Sequence, residues 1–272
     1  MRFTLIGGDL RNVHLCRRLL GDGHEVRCFG LELGDIPTHC KSDSLEAALE
    51  DTACVVLPIP ACSGSLLRGP YSTCPLPVDA VARSLPKGVP VFGGGSCPIP
   101  MEDLTAVETM AIGNAALTAQ SALLLLLEHA HRSLTGQRVL IVGGGRIGTL
   151  LGLKLYALGA QVTVASRRRD CRAWHTAMGM EAVDMACLRH ILPTQDMVVN
   201  TVPAPVLDAD ALQLLPPHTP LLELASLPGG FAPVQAEALG LRPIMGRGLP
   251  GTYTPAGAAD LIAETIYAEL EV

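Results

Sequence analysis

A glycine-rich turn at residues 143–148 constrains the fold of this chain more than any other feature. The turn reads GGGRIG, and the apolar segment before it, Val139 to Val142, predicts a buried strand. An amphipathic segment of helix length follows, and Val162 to Ala165 predicts a second strand. A strand, a G-x-G-x-x-G turn, a helix and a strand in this order are typical of the βαβ unit of a Rossmann-type parallel sheet. The pattern therefore predicts such a domain in the C-terminal half.

The glycines of this turn predict a dinucleotide site. Gly143 permits the tight turn, Gly145 lets the backbone approach a pyrophosphate, and Gly148 lets the helix pack closely on the strand. The first N–H groups of the helix then point at the phosphates. The residues predicted to bind the cofactor at this turn are Gly143, Gly145, Arg146, Ile147 and Gly148. A turn that binds nothing is the alternative, and the complete βαβ context favours binding.

The residues after the second predicted strand indicate which dinucleotide binds. Ser166 stands where an NAD site usually has an acidic residue for the ribose 2′-hydroxyl, and Arg167, Arg168 and Arg169 follow it. A 2′-phosphate would be attracted there, so we expect NADP to bind at least as well as NAD. Ser166 and Arg167 are the main expected contacts. Arg168 is a further cofactor-binding candidate, although it or Arg169 fits a solvated surface equally well.

Two later strands are predicted to bring loops to the same edge of the sheet. They are Met197 to Asn200 and Leu221 to Leu224. Ligands of open parallel sheets lie at the carboxyl ends of the strands. The residues expected to flank the nicotinamide ribose are Thr201, Val202, Pro203, Ala225 and Ser226. Proline and glycine after strands are also ordinary turn formers.

The first part of the chain predicts a second, smaller parallel α/β layer. Strand patterns at Arg2 to Ile6, Glu25 to Phe29, Ala53 to Leu57 and Val89 to Phe92 alternate with helical ones. A chain of 272 residues is long enough for two domains. The predicted division is a substrate and partner domain at 1–112, a connecting helix within 113–135 (Ala115 to His131), the dinucleotide domain at 136–252, and a C-terminal helix at 253–272 that packs back across the interface.

Candidate substrate-binding residues follow strands of the first domain. Gly8 and Asp9 open its first helix, whose N-terminus would attract a carboxylate, and Ser63 and Gly64 follow its third strand. A role for Asp9 as a simple N-cap is the favoured alternative. Arg247, in a loop rich in glycine, is a candidate for contact with an anionic substrate, and a solvated arginine is an equal alternative.

Charge and composition exclude several classes of function. The formal net charge is −6 and no long basic stripe is present, which argues against nucleic-acid binding. The longest apolar run, Ala122 to Leu127, is far shorter than the ~18 residues of a membrane span. The nine cysteines include no C-x-x-C pair, so we expect reduced thiols, no metal site and a cytoplasmic location.

An ordered set of segments resembles one enzyme family over nearly the whole chain. The segments are IGGD, VVLPIPACSG, TGQRVLIVGGGRIG, VVNTVPAPVL, LLELASLPGG and GLPGTYTPAGAA. Together they resemble the A subunits of dipicolinate synthases. The resemblance implies a flavodoxin-like domain before an NAD(P) domain related to the D-2-hydroxyacid dehydrogenases, so the expected fold class is two doubly wound α/β domains. It also implies NAD(P)-dependent oxidation of a dihydrodipicolinate-type dicarboxylate to dipicolinate. The separate B subunit of dipicolinate synthase is the implied partner. The implied location is the mother-cell cytoplasm of a sporulating bacterium. We also expect a homo-oligomer.

One stretch departs from that family's pattern. The family usually has Asn-x-x-Pro-Thr-x-Glu-Gly before the long helix, and here Asn114 and Thr118 match it. These two and Arg247 are the weak candidates for catalysis. Gln120 replaces the family's glutamate, which removes a possible proton acceptor. The substitution leaves the cofactor prediction untouched.

Two other functions fit the same residues. Another NAD(P)-dependent oxidoreductase, of the 2-hydroxyacid dehydrogenase type, would need a histidine paired with a carboxylate near the nicotinamide. The candidate histidines are His175, His190 and His218, and the candidate carboxylates are Glu223 and Asp208. A non-catalytic NADP-binding protein would bind nucleotide and a partner without turnover.

Overall fold

A computed structural model describes residues 1–130 and 132–271 of the chain. The predicted end of the connecting helix at His131 lies outside these residues. The chain forms two compact units: Met1–Asn114 together with Pro250–Val272, and Ala115–Leu249.

The first unit contains a five-stranded parallel sheet. Its strands are β1 (Arg2–Ile6), β2 (Glu25–Phe29), β3 (Cys54–Val56), β6 (Val91–Gly93) and β7 (Glu102–Asp103), and an antiparallel hairpin adds β4 (Cys62–Ser63) and β5 (Leu66–Leu67). The helices are α1 (Leu10–Gly21), α2 (Leu45–Leu49), α3 (Val78–Ser84) and α11 (Pro255–Leu270). The sheet order is β2-β1-β3-β6-β7. Alternate residues of β1 pack in opposite layers: Phe3 and Leu5 face α1 and α11, and Ile6 faces the side of α2 and α3.

The second unit contains a six-stranded parallel sheet. Its strands are β8 (Arg138–Val142), β9 (Gln161–Ala165), β10 (Glu181–Val183), β11 (Met197–Asn200), β12 (Pro220–Glu223) and β13 (Arg242–Met245). The helices are α5 (Arg146–Ala157), α6 (Arg169–Ala177), α7 (Leu188–Ile191), α8 (Ala209–Leu212) and α9 (Pro233–Ala238). The sheet order is β10-β9-β8-β11-β12-β13, and the four inner strands are buried on both faces, as layers of helices require. The predicted fold class, two α/β domains with parallel sheets, is confirmed.

Two further helices lie at the ends of these units. They are α4 (Glu108–His129) and α10 (Leu249–Tyr253). The helix α4 begins before the predicted start at Ala115. By length and composition alone α4 could cross a membrane, with a mean hydropathy of 1.6. Its fully buried alanines, Ala119 and Ala122, belong to the core of the second unit, and this burial accounts for part of its apolar character.

The C-terminal helix α11 packs on α1 within the first unit. Ala259, Ile262 and Ile266 of α11 are fully or nearly fully buried in the core that α1 also lines. At the edge of this contact Arg18 donates to Asp260 at 2.8 Å. The last helix therefore completes the layer that covers one face of the first sheet.

The cysteines correct one expectation. Cys62 and Cys97 form a disulfide, so reduced thiols throughout the chain were a wrong prediction. The hairpin that carries Cys62 and the loop after β6 both lie at the carboxyl end of the sheet, which brings two residues 35 positions apart together. The remaining seven cysteines are free, and Cys74 and Cys187 are the exposed ones among them. Burial raises the pKa of the Cys54 thiol to about 12, which makes it unreactive.

Candidate functional site

The glycine-rich turn after β8 has the close contacts that its sequence predicts. Gly143 has a φ of +105°, and its N–H donates to the carbonyl of Ala165, the last residue of β9, at 2.9 Å. A Cβ on Gly143 would collide with the hydroxyl of Thr201 and lie 2.8 Å from Val202. A Cβ on Gly148 would collide with the carbonyl of Gly143. Both positions therefore require glycine, the second because α5 approaches the turn closely.

Gly145 leaves the start of α5 open. It is the N-cap of α5 with extended backbone, and a Cβ placed there would meet no described atom within 4 Å. Because glycine has no side chain to cap the helix, no N-cap side chain accepts from the N–H groups of Ile147 and Gly148, and a ligand could do so instead. They lie at the positive end of the helix dipole. An open helix start beside two positions that only glycine fits suits the pyrophosphate of a dinucleotide.

Two buried residues that pack against the turn, Cys171 and His175, were not predicted from the sequence to do so. A Cβ on Gly144 would collide with Cys171, whose thiol donates to the Gly144 carbonyl at 3.1 Å. His175 is buried one helical turn further along α6, and its Nδ1 lies 2.7 Å from the Cys171 carbonyl. Since a carbonyl only accepts, Nδ1 carries the proton and Nε2 accepts from Thr149 at 3.1 Å. Both ring nitrogens of His175 are therefore occupied by contacts that support the turn. Cys171 and His175 are four residues apart, which puts both side chains on one face of a helix, and this spacing was the sequence signal that could have indicated the contact.

After β9, Arg167 and Arg168 have different side-chain partners. Ser166 is buried, and its hydroxyl oxygen accepts from the Arg168 N–H at 3.4 Å. The Arg168 guanidinium pairs with Asp170, and this hydrogen bond lowers the pKa of Asp170 to about 2. Arg167 is exposed, and its carbonyl accepts from Arg172. Arg167 is therefore better placed than Arg168 to meet a 2′-phosphate.

Arg172 secures this turn and was not a sequence candidate. Its Nη1 donates to the carbonyls of Ser166 at 2.7 Å and Arg167 at 2.9 Å. The same nitrogen lies 2.8 Å from Asp184. Contacts to backbone carbonyls leave no residue pattern in the sequence, so this role could be seen only in the fold.

The loop after β11 contacts the glycine-rich turn. The Thr201 hydroxyl lies 3.1 Å from the Val142 carbonyl and 3.2 Å from that of Gly143, so it donates to this pair of acceptors. Thr201 and Val202, both predicted cofactor residues, are thus brought against Gly143. The binding roles of Thr201, Val202, Pro203, Ala225 and Ser226 themselves stay predictions.

A buried carboxylate organises the loop after β12. Glu223 is fully buried, and it accepts from Asn200 Nδ2 and from the Ala225 N–H, both at 2.8 Å, and from the Gly230 N–H at 2.7 Å. Arg247 is exposed, and its Nε donates to the Ala225 carbonyl at 3.3 Å. From the sequence, Glu223 was expected only as a partner for a histidine. A single glutamate in the apolar run LLELA was the signal for its burial.

The carboxylates considered for a histidine pair have other partners. Glu223 is bound as just described. Asp208 accepts from Arg189 at 2.8 Å and caps α8 through the Ala211 N–H at 2.9 Å. The histidine–carboxylate pair that a 2-hydroxyacid dehydrogenase mechanism requires is therefore not provided by these two residues.

The predicted substrate residues lie in the first unit. The Gly8 N–H donates to the Arg68 carbonyl at 2.8 Å. Asp9 is the N-cap of α1 and also pairs with Arg11 at 2.7 Å. Burial raises the pKa of Asp9, but the hydrogen bonds from Arg11 outweigh it and hold the pKa below its usual 3.8. Ser63 and Gly64 lie at the β4–β5 hairpin, with Gly64 in its turn. Their contact with substrate stays a prediction.

The weak catalytic candidates on α4 differ in exposure. Asn114 is half-buried and Thr118, one turn later, is buried, whereas Gln120 is exposed. Ser121 is also buried and donates to the Leu117 carbonyl at 2.9 Å. The catalytic roles of Asn114, Thr118 and Arg247 stay predictions. Among residues 1–130 and 132–271, no cluster of three or more His, Cys, Asp or Glu side chains could hold a metal ion.

Fold and site together define a class of protein. A parallel sheet with a glycine-rich turn, an open helix start and basic residues after the next strand is an NAD(P)-binding domain of a dehydrogenase. Consistently, residues 113–225 match the family model described as D-isomer specific 2-hydroxyacid dehydrogenase, NAD binding domain. The cofactor is therefore NAD or NADP, and the chain is an oxidoreductase by class.

The first unit and the whole chain are similar to more particular proteins. Residues 2–110 match the family model for the N-terminal domain of the dipicolinate synthase A subunit. The A subunit of dipicolinate synthase from Bacillus subtilis (strain 168) is 26% identical over 98% of this chain and 94% of its own. The crystal structure of the Bacillus halodurans A subunit has a TM-score of 0.90 at 27% identity, covering 100% of this chain and 98% of its own. The Bacillus subtilis structure has a TM-score of 0.86 at 25% identity, covering 100% and 96%. Over its whole length the chain is therefore similar to dipicolinate synthase A subunits, and its first unit matches their N-terminal domain.

Proposed function

We propose that this protein oxidises a dihydrodipicolinate-type intermediate to dipicolinate with NAD(P)⁺, acting with a separate B subunit. One observation carries the proposal: an N-terminal domain of the dipicolinate synthase type is joined in one chain to a dinucleotide site with an open helix start. The setting would be the cytoplasm of a sporulating mother cell, and we expect a homo-oligomer.

The chain's own residues would bind and orient the cofactor. The start of α5 and the turn at Gly143 and Gly145 would hold the pyrophosphate. Arg167 would meet the 2′-phosphate of NADP, with the Ser166 hydroxyl beside it. Bound NAD(P)⁺ supplies the hydride acceptor for the reaction. A preference for NADP over NAD belongs to this proposal.

The reaction makes a modest demand on acid–base groups. Removing a hydride and a proton from a dihydropyridine creates an aromatic ring, so positioning can supply much of the catalysis. The arrangement of the second unit supports this view, because His175 supports the glycine-rich turn and Glu223 is saturated by N–H donors. Arg247 is the proposed contact for a substrate carboxylate in the second unit, and Ser63 and Gly64 stay proposed substrate-binding residues of the first unit.

Product formation tests this function directly. The full chain would be mixed with its B partner, NADP⁺ or NAD⁺ and a dihydrodipicolinate-type substrate generated in the same vessel. Reduced cofactor and an ultraviolet-absorbing pyridine dicarboxylate should appear in equal amounts. Nucleotide binding without product under either cofactor would contradict the proposal and would favour a non-catalytic NADP-binding protein.

A further inference from the structure

Two fully buried polar side chains meet at the carboxyl edge of the second sheet. Asn200 ends β11 and Glu223 ends the neighbouring β12, and both side chains have 0% exposure. Asn200 Nδ2 donates to Glu223 Oε1 at 2.8 Å. Apolar residues of similar volume would pack such positions at no greater cost, because removing a charge from water is expensive. Packing alone therefore does not explain this pair.

Glu223 holds both ends of the loop that follows it. Oε1 accepts from the Ala225 N–H at the start of the loop, and Oε2 accepts from the Gly230 N–H at its end. A Cβ on Gly229 would lie 3.0 Å from Glu223 Oε2 and 3.3 Å from Arg247 Nη2, so carboxylate and guanidinium both approach this glycine. Three N–H donors facing one carboxylate suit the ionised group, which can only accept.

Asn200 holds the neighbouring loop in the same way. Its Nδ2 donates to the Val202 carbonyl at 2.9 Å, and its Oδ1 accepts from the Val202 N–H at 3.1 Å. Thr201, between them, donates to the pair of carbonyls at Val142 and Gly143. Hydrogen bonds of the adjacent residues Asn200 and Thr201 thus connect the glycine-rich turn to Glu223, and Glu223 connects them to the loop after β12.

The position of this pair in the sheet indicates its purpose. The strand order reverses direction between β8 and β11, and in doubly wound sheets the two mononucleotide halves of a dinucleotide bind on either side of that point. The adenosine half belongs with β8, β9 and β10, where Ser166 and Arg167 lie. The nicotinamide half belongs with β11 and β12, where both strands end in the buried pair.

We propose that Glu223, acting through Asn200, is a positioning residue that fixes the two loops around the nicotinamide half of the cofactor. This inference rests on the proposed function, since it assumes that the hydride-accepting ring binds at these loops. Glu223 itself touches neither cofactor nor substrate. Its effect is to keep Val202 and Ala225 in place when the ring binds.

The test compares two ligands that differ only in the nicotinamide. NADPH and the 2′-phosphate of ADP-ribose would each be titrated into the full chain and into Glu223→Gln. The amide would turn an N–H toward the N–H of Ala225 or Gly230 and release one end of the loop. We expect NADPH to bind about tenfold more weakly and to lose its fluorescence enhancement. The truncated ligand should change by at most about twofold.

Matched variants separate positioning from general damage. Glu237→Gln makes the same chemical change at an exposed position of α9 and should leave both affinities unaltered. Asn200→Ala should reproduce the selective loss, and it also serves as the test if Glu223→Gln fails to fold. The double variant should bind NADPH no more weakly than the worse single variant, because the two residues act as one unit.

The outcomes distinguish this inference from the proposed function. Equal weakening of both ligands, or unchanged NADPH binding in both variants, would overturn the positioning role. A wild-type chain that binds NADPH but forms no dipicolinate would contradict the proposed function, while a selective effect of Glu223→Gln in that chain would still support the positioning role.

Discussion

Each unit contains a strand–glycine–helix turn, and the two turns share one backbone hydrogen bond and an extended N-cap residue. After β1, the Gly7 N–H donates to the last residue of β2 at 2.8 Å, and after β8, the Gly143 N–H donates to the last residue of β9 at 2.9 Å. Each turn leads through an extended N-cap residue into a helix of 12 residues. A ligand would meet two similar helix starts.

The two N-cap residues differ, and the difference decides which helix start is open. Asp9 caps α1 with its own carboxylate, and the N–H of the preceding Gly8 is bound to the Arg68 carbonyl. Gly145 has no side chain and leaves the start of α5 to a ligand. One residue type at the N-cap thus separates a helix start that is capped by its own side chain from one that is open to a ligand.

The largest effect is expected when the second turn is made like the first. In Gly145→Asp the new carboxylate would cap α5 and repel the pyrophosphate, so NADP⁺ affinity should fall about 100-fold or more. The melting temperature should stay the same or rise, because an N-cap aspartate stabilises a helix by about 1 kcal/mol. Calorimetric titration and thermal unfolding measure both quantities. Gly145→Ala, which adds a methyl group but no charge, is the control and should lose less affinity than Gly145→Asp; an equal loss in both variants would refute the charge argument.

The next largest effect concerns the 2′-phosphate. Arg167→Glu should weaken NADP⁺ binding about 30-fold, as the loss of a charge-assisted contact implies, and should change NAD⁺ binding far less. Competition titrations with both nucleotides would measure this. Arg169→Glu carries the same charge change at a neighbouring exposed position and should have a small effect. Equal losses of affinity for both nucleotides would mean that Arg167 does not bind the 2′-phosphate.

A smaller effect is expected when the first turn loses its cap. Asp9→Ala removes both the N-cap of α1 and the partner of Arg11, so the free energy of unfolding should fall by about 1–2 kcal/mol, measured by urea unfolding. Affinity for NADP⁺ should be unchanged. Asp35→Ala, which removes an ion pair whose carboxylate is 95% exposed, should have little effect on stability. A loss of cofactor affinity in Asp9→Ala would show that the first turn is not the closed one.

The smallest effect is a pH dependence of the same cap. The pKa of Asp9 is held below 3.8 in the fold, so its ionised form stabilises the protein above that value. The stabilisation is lost as pH falls through the lowered pKa. Urea unfolding between about pH 5 and pH 3 should therefore show a steeper loss of stability in the wild type than in Asp9→Asn. Parallel pH profiles would contradict the role of the Arg11 contact.

Local patterns in the sequence were enough to predict the turn after β8 and the parallel sheets. The role of Gly148 depends on Gly143, a few positions away, and strand and helix periods are local properties. The N-cap role of Asp9 was likewise foreseen as the favoured alternative. Each of these follows from a segment that carries its own signal.

The remaining features depend on contacts between segments that are distant in sequence. Glu223 meets Asn200 only because β11 and β12 are neighbours in the sheet. Arg172 acts on backbone carbonyls, which every sequence has. The Cys62–Cys97 disulfide required knowledge of where the hairpin lies. Such pairings arise from the fold, and one sequence read by its local patterns could not specify them.

The stoichiometry of NADP⁺ binding tests the central comparison most directly. If Asp9 closes the first turn and Gly145 opens the second, calorimetric titration of the full chain should give one site per chain, and Gly145→Asp should abolish it. Two sites per chain, or one site that Gly145→Asp leaves intact, would contradict the account.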